Sequence, residues 1–291
     1  MKQSFFCSPL SFLSPLAIGA MHRERRDVVV LSDPHVAPLY AAPLVARLSE
    51  VGCRPLMLVL EGGEGGKTRE GKAHLEDQMQ EEGYGEVTTL IGIGGGVVTD
   101  MAGFLASTYC RGIALSLIPT SLLGMVDAAI GGKNGVNTLN RKNGVGTVYS
   151  PQTICIDPSL LATLPEREYR HGYAEIVKLG LVADGDLFRW AIEEMQRGGR
   201  IPFALIDRSI SLKERLVTRS VHRKSRRNLL NFGHTIAHAL ESLTHYQMPH
   251  GEAVARGILL ETWISHLMGA LSRSHCLAIV NALEGTPFLL N

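Results

Sequence analysis

Two histidines four residues apart, in Asn231-Phe232-Gly233-His234-Thr235-Ile236-Ala237-His238, place both imidazoles on one face if the segment is helical, a spacing that divalent metal sites use. Sixteen residues past His234, His250-Gly251-Glu252 opens another helical stretch, and Glu175 is available as an oxygen donor. The spacing favours His234 with His238 as ligands and leaves His250 or a carboxylate to complete the sphere. The segment Leu90-Ile91-Gly92-Ile93-Gly94-Gly95-Gly96-Val97-Val98-Thr99-Asp100 offers different chemistry. It reads as strand, glycine turn and helix start, a form that lets backbone N–H groups meet a phosphate with no Cβ in the way. Thr99 stands where a dinucleotide fingerprint has its third glycine, and no Walker lysine follows, so a pyrophosphate site and an ordinary tight turn are equally open readings.

Other groups could serve anionic or hydroxylated ligands. Asp33, just after the first strand expected, suits either ribose hydroxyls or a turn cap. Glu64 and Lys67 sit in a glycine-rich turn, Gly62 to Lys67, which reads equally as a solvated loop. Asp127 precedes a Gly- and Asn-rich stretch, Gly131 to Gly146, that carries Lys133, Arg141, Lys142 and Asn143 and is expected to be a long irregular loop for an anionic ligand. The basic run Lys213 to Arg227 reads as a solvated helix face with a frayed end. It has no aromatic residues to stack bases, which argues against nucleic acid.

The elements that must position these residues fall into two textures. From Asp27 to about Asp157, β-branched runs alternate with helical stretches, the pattern of a parallel sheet covered by helices. Strands are expected at Val28–Leu31, Pro55–Leu60, Val87–Gly92, Ile113–Ile118 and Thr153–Ile156, with helices near 41–52 and 68–82 and from Val98. Past Leu164-Pro165, apolar residues recur at three and four, as in Leu212, Leu216 and Val217, and the chain is expected to be all-helical. The expected division is therefore a leader over 1–26, an α/β domain over 27–164 and a helical domain over 165–291, with the small-molecule site in a cleft between the last two. The leader's apolar run imitates a secretory signal, but Pro9 and Pro15 interrupt it, and a poorly structured leader is the better reading.

Composition excludes several function classes. With 45% hydrophobic residues in 291, the chain can bury a sizeable core. The balance of 29 Lys+Arg against 28 Asp+Glu leaves no global field for nucleic acid or an anionic membrane. No apolar run reaches the length of a spanning helix. The five cysteines are widely spaced and read as free thiols of a reducing, cytoplasmic compartment.

Taken together, the motifs resemble those of the 3-dehydroquinate synthases, the shikimate-pathway branch of the sugar-phosphate cyclases, from about Val28 to Leu267. They include Gly94-Gly95-Gly96-Val97-Val98-Thr99-Asp100, Pro119-Thr120-Ser121-Leu122-Leu123, Gly131-Gly132-Lys133, Leu164-Pro165-Glu166, Ala174-Glu175-Ile176-Val177-Lys178, Asn231-Phe232-Gly233-His234-Thr235 and His250-Gly251-Glu252-Ala253-Val254. The resemblance implies an α/β N-terminal domain with a Rossmann-like parallel sheet plus an all-α C-terminal domain. It implies NAD and one divalent metal, zinc or else cobalt, and a lyase that turns 3-deoxy-D-arabino-heptulosonate 7-phosphate into 3-dehydroquinate and phosphate. By motif, Glu175, His234 and His250 would be the metal ligands, which moves His238 to the substrate. Lys133, Lys178, Asn231 and His238 would be catalytic, and Arg111, Asn143, Lys213 and Arg227 would bind substrate, Arg111 from the neighbouring subunit of a homodimer. Asp33, Glu64, Lys67, Gly95, Gly96, Asp100, Thr120, Ser121, Asp127, Lys142 and Thr163 would surround NAD. The pattern departs from the family where Arg223 replaces a glutamate, His35 an asparagine and Thr99 a glycine, and the chain ends before the family's final helical segment and its late lysine. The alternatives are a related sugar-phosphate cyclase and a truncated, impaired homologue.

Overall fold

The computed structural model describes residues 4–7, 12–22, 25–139, 141–220, 228–244 and 247–286. The chain divides into two compact units, Met1–Leu164 and Pro165–Asn291.

The described residues of the first unit contain strands β1 (Ser4–Cys7), β2 (Asp27–Ser32), β3 (Arg54–Val59), β4 (Thr89–Gly94), β5 (Ala114–Pro119), β6 (Lys133–Thr138), β7 (Arg141–Val148) and β8 (Thr153–Ile156). Six of them form one parallel sheet in the order β1-β8-β5-β4-β2-β3. Helices α1 (Pro15–His22), α2 (Ala42–Glu50), α3 (Arg69–Glu81) and α4 (Gly96–Thr108) belong to the same unit. Val28, Val29, Val30 and Leu31 of β2 are all fully buried, which is why this strand is a continuous apolar run and not an alternating one.

Chain order decides where the loops gather. From β2 the chain goes outward to β3, then returns to the other side of β2 with β4, so the strand order reverses between β2 and β4. Ligands of open α/β sheets bind at the carboxyl ends of strands beside such a reversal. Leu31 lies opposite Gly92, and Gly94 opposite Pro119, so Asp33, Gly95-Gly96 and Thr120-Ser121 leave β2, β4 and β5 at the same end. Gly94 must be glycine for packing reasons, since a Cβ there would fall 2.6 Å from the Val98 side chain.

Two sequence expectations change here. The stretch Gly131 to Gly146, expected to be irregular, is largely an antiparallel hairpin of β6 and β7, with Lys133 opposite Val148 and Gly135 opposite Gly146. The glycines let the two backbones close, for a Cβ on Gly146 would meet the Asn134 carbonyl oxygen at 1.9 Å. Its polar composition concealed the pairing, because a surface hairpin needs no apolar run. The first described strand is β1 and not β2, and the described residues before 27, namely 4–7, 12–22 and 25–26, belong to the sheet unit. β1 pairs in parallel with β8, Ser4 opposite Thr153. Phe12, Ala17, Ile18 and Met21 are buried, and the backbone carbonyls of Ala20 and Met21 accept hydrogen bonds from Thr153 Oγ1 and Ser116 Oγ at 3.2 and 3.0 Å. Pro15 does not break this segment, because it stands at the first position of α1, where proline fits a helix. Met21→Ala is expected to cost about 2–5 kcal/mol of unfolding free energy in urea melts. A change no larger than that of a surface mutation would mean that the segment lies outside the cooperative core.

The described residues of Pro165–Asn291 hold helices α5 (Glu166–Ala183), α6 (Gly185–Arg197), α7 (Phe203–Ser220), α8 (His234–Leu243), α9 (His250–Leu267) and α10 (Arg273–Glu284), and no strand. Small residues bring three of these helices to backbone contact. A Cβ on Gly257 would lie 1.9 Å from the Gly233 carbonyl oxygen, and one on Gly251 would lie 2.3 Å from His171 Cα. α9 therefore lies against both α8 and α5. Among the described residues no helix is long and apolar enough to cross a membrane, and Cys53, Cys110 and Cys276 are free thiols.

Candidate functional site

The second unit gathers Glu175, His234 and His250, whose donor atoms all lie within 4.8 Å of one another. Glu175 sits in the middle of α5, fully buried. His234 and His250 are the first residues of α8 and α9. Gly233, with φ +81, makes the left-handed turn that aims α8, and its N–H donates to Glu261 Oε2 at 2.7 Å. Both histidine Nε2 atoms stand 3.5 Å from Glu175 Oε1.

The residues fit a divalent ion. Neither oxygen of the buried Glu175 accepts a well-formed hydrogen bond, although Lys178 Nζ lies against Oε2. Lys178 compensates Oε2, and a cation at Oε1, between the two imidazoles, would complete the buried carboxylate. Tetrahedral sites with bonds of about 2.0–2.2 Å place neighbouring donors about 3.3–3.6 Å apart, and 3.5 Å separates Glu175 Oε1 from each imidazole nitrogen. The far nitrogens are engaged as well: His234 Nδ1 faces the Phe232 carbonyl at 3.3 Å and His250 Nδ1 faces Glu241 Oε1 at 3.2 Å. Such partners leave Nε2 as the atom presented to the centre.

Electrostatics sort the three groups. Burial lowers the His234 imidazole below its ordinary value, so it stays neutral. Burial raises Glu175, but Lys178 and the two histidines outweigh it and hold the carboxyl well below the usual range. Burial also pulls His250 down, and the neighbouring carboxylates of Glu175 and Glu241 more than reverse this, lifting it to about 9. Raised above its unfolded value near 6.5, His250 contributes stability to the metal-free protein that is fully present below that pH and is lost as pH rises through about 9. An ion needs the same nitrogen unprotonated. Metal affinity is therefore expected to rise with pH over this window, with about one proton released per ion bound at pH 7. Calorimetry in buffers of different ionisation enthalpy measures that proton, and buffer-independent heats would refute it.

His238, one turn beyond His234, is exposed and lies outside the group; its ring stands edge-on to His234 at 5.6 Å. The i, i+4 pairing expected from spacing gives way because α9, packed against α8, delivers His250 from the side. Glu252 is engaged by Arg256 at 2.8 Å. Lys178 is buried, and so is Lys213, whereas Arg215 of the same run is exposed. Asn231 is exposed at the end of a short turn, Asn228–Asn231. Arg227 and Arg223 lie outside the described residues. Glu241 and Glu261 were not legible from motif, although Glu241, seven residues after His234, shares its helix face.

In the first unit, Gly95 and Gly96 form the turn into α4, whose N-cap, Gly95, offers no side-chain acceptor. Thr120 is buried, its N–H donating to the Gly94 carbonyl at 2.9 Å, and Ser121 Oγ accepts from Gly124 N at 3.1 Å. Asp33 Oδ1 accepts from the N–H groups of His35 and Val36 at 2.9 and 3.0 Å, the turn-capping alternative. Lys67 is buried, with Nζ donating to Asp100 Oδ2 at 2.5 Å and Asn143 Oδ1 at 2.6 Å, although Gly62, Gly63 and Gly65 of its turn are exposed. Burial pushes the Asp100 carboxyl up against the pull of Lys67. Asn137, missed in the sequence, donates to Glu64 Oε1 at 2.8 Å and accepts from Asn143 N at 2.9 Å, tying that turn to the hairpin. Thr163 Oγ1 pairs with Tyr40 Oη at 2.8 Å. Asp127 lies in the turn Gly124–Ala128, Lys133 and Lys142 lie on β6 and β7, and Arg111 is exposed with φ +63.

Comparison with known proteins places this arrangement. Residues 57–171 match the model of the 3-dehydroquinate synthase N-terminal region and 172–289 that of the C-terminal region. The 3-dehydroquinate synthase of Chlamydia caviae is 40% identical over 251 residues, 85% of this chain and 66% of that protein. The chain thus spans just under two thirds of the length of that relative. The structure of 2-deoxy-scyllo-inosose synthase complexed with carbaglucose-6-phosphate, NAD+ and Co2+ matches with a TM-score of 0.85 and 26% identity, over 92% of this chain and 75% of that one. That of 2-epi-5-epi-valiolone synthase from Streptomyces hygroscopicus, with NAD+ and Zn2+ bound, matches with a TM-score of 0.85 and 30% identity, over 99% and 82%. The two regional models follow one another along the chain without a gap, and the chain belongs to the 3-dehydroquinate synthase family.

Proposed function

We propose that this protein is a carbon–oxygen lyase that converts 3-deoxy-D-arabino-heptulosonate 7-phosphate to 3-dehydroquinate and phosphate, using NAD and one divalent ion, zinc or cobalt. Family membership supports the reading, and one observation carries it: the fully buried Glu175 with two imidazole nitrogens 3.5 Å from one of its oxygens. A carboxylate and two imidazoles suit such an ion and leave coordination positions for substrate oxygens. When bound, NAD supplies a reversible hydride acceptor and the ion a Lewis acid.

Glu175, His234 and His250 would hold the ion. Asp33, Glu64, Lys67, Gly95, Gly96, Asp100, Thr120, Ser121, Asp127, Lys142 and Thr163 would hold NAD, with the turn at Gly95-Gly96 offering backbone N–H groups to a pyrophosphate. Lys133, Lys178, Lys213 and Arg227 would bind the carboxylate and phosphate of the substrate, with Asn143, Asn231 and His238 on its hydroxyls. Cations fixed in place favour the charge that collects on phosphate oxygens as the C–O bond breaks, with no reorganisation at that moment. A homodimer in which Arg111 serves the neighbouring subunit, and a cytoplasmic location, complete the proposal.

Phosphate release from the heptulosonate, compared with other sugar phosphates, tests it. Release that needs both NAD and metal is expected. None above a metal-stripped control overturns the reading, and preference for another sugar phosphate would point to a related cyclase. Arg223, standing where the family has an acid, favours a second reading as an impaired homologue. A large rise in turnover on Arg223→Glu would support that one.

A further inference from the structure

We infer that Glu241 is a positioning residue of the metal centre, its buried carboxylate holding His250 through Nδ1 so that Nε2 is presented to the ion; the inference rests on the metal reading of Glu175, His234 and His250. Glu241 Oε1 lies 3.2 Å from His250 Nδ1, and the residue is only 1% exposed.

The location of this carboxylate is unfavourable on two counts. It lies in the last turn of α8, which ends at Leu243, where the helix carries partial negative charge. It is also withdrawn from water, which penalises an anion further. A hydrogen bond from the His250 ring offsets both costs, and it has a consequence on the far side of the ring. With its hydrogen on Nδ1, the ring turns Nε2, the atom 3.5 Å from Glu175 Oε1, toward the centre as the nitrogen that gives up its proton to an ion. A carboxylate in this position fixes the ring plane and raises the basicity of Nε2 more than a neutral acceptor does. His234 has only the Phe232 carbonyl at its Nδ1, so the two imidazoles are anchored unequally. The helix arithmetic makes the arrangement economical. His234 and Glu241 are two turns apart on one face of α8, so a single helix supplies one ligand and the support for the other.

The test is Co2+ titration of the metal-free 291-residue protein, followed by its visible d–d absorption, for wild type, Glu241→Gln and Glu241→Leu. Gln keeps the shape and an acceptor oxygen but loses the charge, and affinity is expected to fall about tenfold. Leu removes the acceptor, and a loss of about ten- to a hundredfold with an altered d–d spectrum is expected. A purely structural role would lower the melting temperature of the metal-free protein and leave affinity and spectrum unchanged, which overturns the inference. Should Glu241→Leu fail to fold, Glu241→Gln decides: a change in Kd of less than roughly threefold with the wild-type spectrum overturns it, and a larger one supports it. Wild type that takes up no Co2+ would overturn the metal reading and this inference together, whereas wild-type uptake matched by Glu241→Gln removes only the role of Glu241.

Discussion

Replacing Glu175 by glutamine is expected to abolish metal retention and bring phosphate release down to the level of metal-stripped protein. The amide has the size of the carboxylate but neither its charge nor its strength as a ligand, and Glu175 is the one oxygen donor in the group of three. The change also leaves the ammonium of Lys178, itself only 2% exposed, beside a neutral partner. Breaking a buried ion pair from one side typically costs about 3–5 kcal/mol, less whatever is recovered when the lysine sheds its proton. Two measurements separate the effects: metal content by mass spectrometry after gel filtration, and the urea midpoint of the metal-free protein. If Glu175→Gln kept a full complement of metal, the three-residue centre would be the wrong site.

Gly257→Ala should damage the same centre from a distance. The added Cβ would fall 1.9 Å from the Gly233 carbonyl oxygen and 3.2 Å from Ala237 N, and backbone atoms cannot rotate out of the way as a side chain can. α8 and α9 must separate, and His234, the next residue after Gly233, moves with α8. Overpacking of this kind costs about 1–3 kcal/mol, and the upper end is expected where the obstacle is backbone. Metal affinity should fall at least about tenfold, the equivalent of about 1.4 kcal/mol. Gly185→Ala is the control within the same unit, because a Cβ there has nothing within 4 Å and φ is not positive. A Gly257→Ala protein that melts and binds Co2+ as Gly185→Ala does would show that the close approach of the helices is unimportant.

Much of the architecture was readable from the chain alone. Strand β8 coincides with the expected Thr153–Ile156, and the other sheet strands after β1 lie within two residues of expectation; β2, β4, β5 and β8 are buried on both faces, and such strands must be short apolar runs whatever surrounds them. The change to helical periodicity after Leu164-Pro165 coincides with the division into two compact units. Reading failed where the pattern was carried by something other than apolar periodicity. Strands β6 and β7 are rich in glycine and polar residues, and the described residues before 27 are held by an edge strand and a few buried apolar side chains. In the glycine-rich turn, Lys67 looked solvated, yet it is buried on partners 33 and 76 positions away.

The same division runs through the candidate site. Residue types, and the motifs that contain them, were determined by the sequence: a carboxylate, several imidazoles, a glycine turn at the end of a strand. Which of them meet was decided only in three dimensions. Periodicity describes one helix at a time and so favoured His234 with His238, whereas Glu175 and His250 come from two other helices, 59 residues before His234 and 16 after it. They converge because glycines at 233, 251 and 257 let three backbones approach closely, and such an approach is a property of packing between elements that no local pattern records.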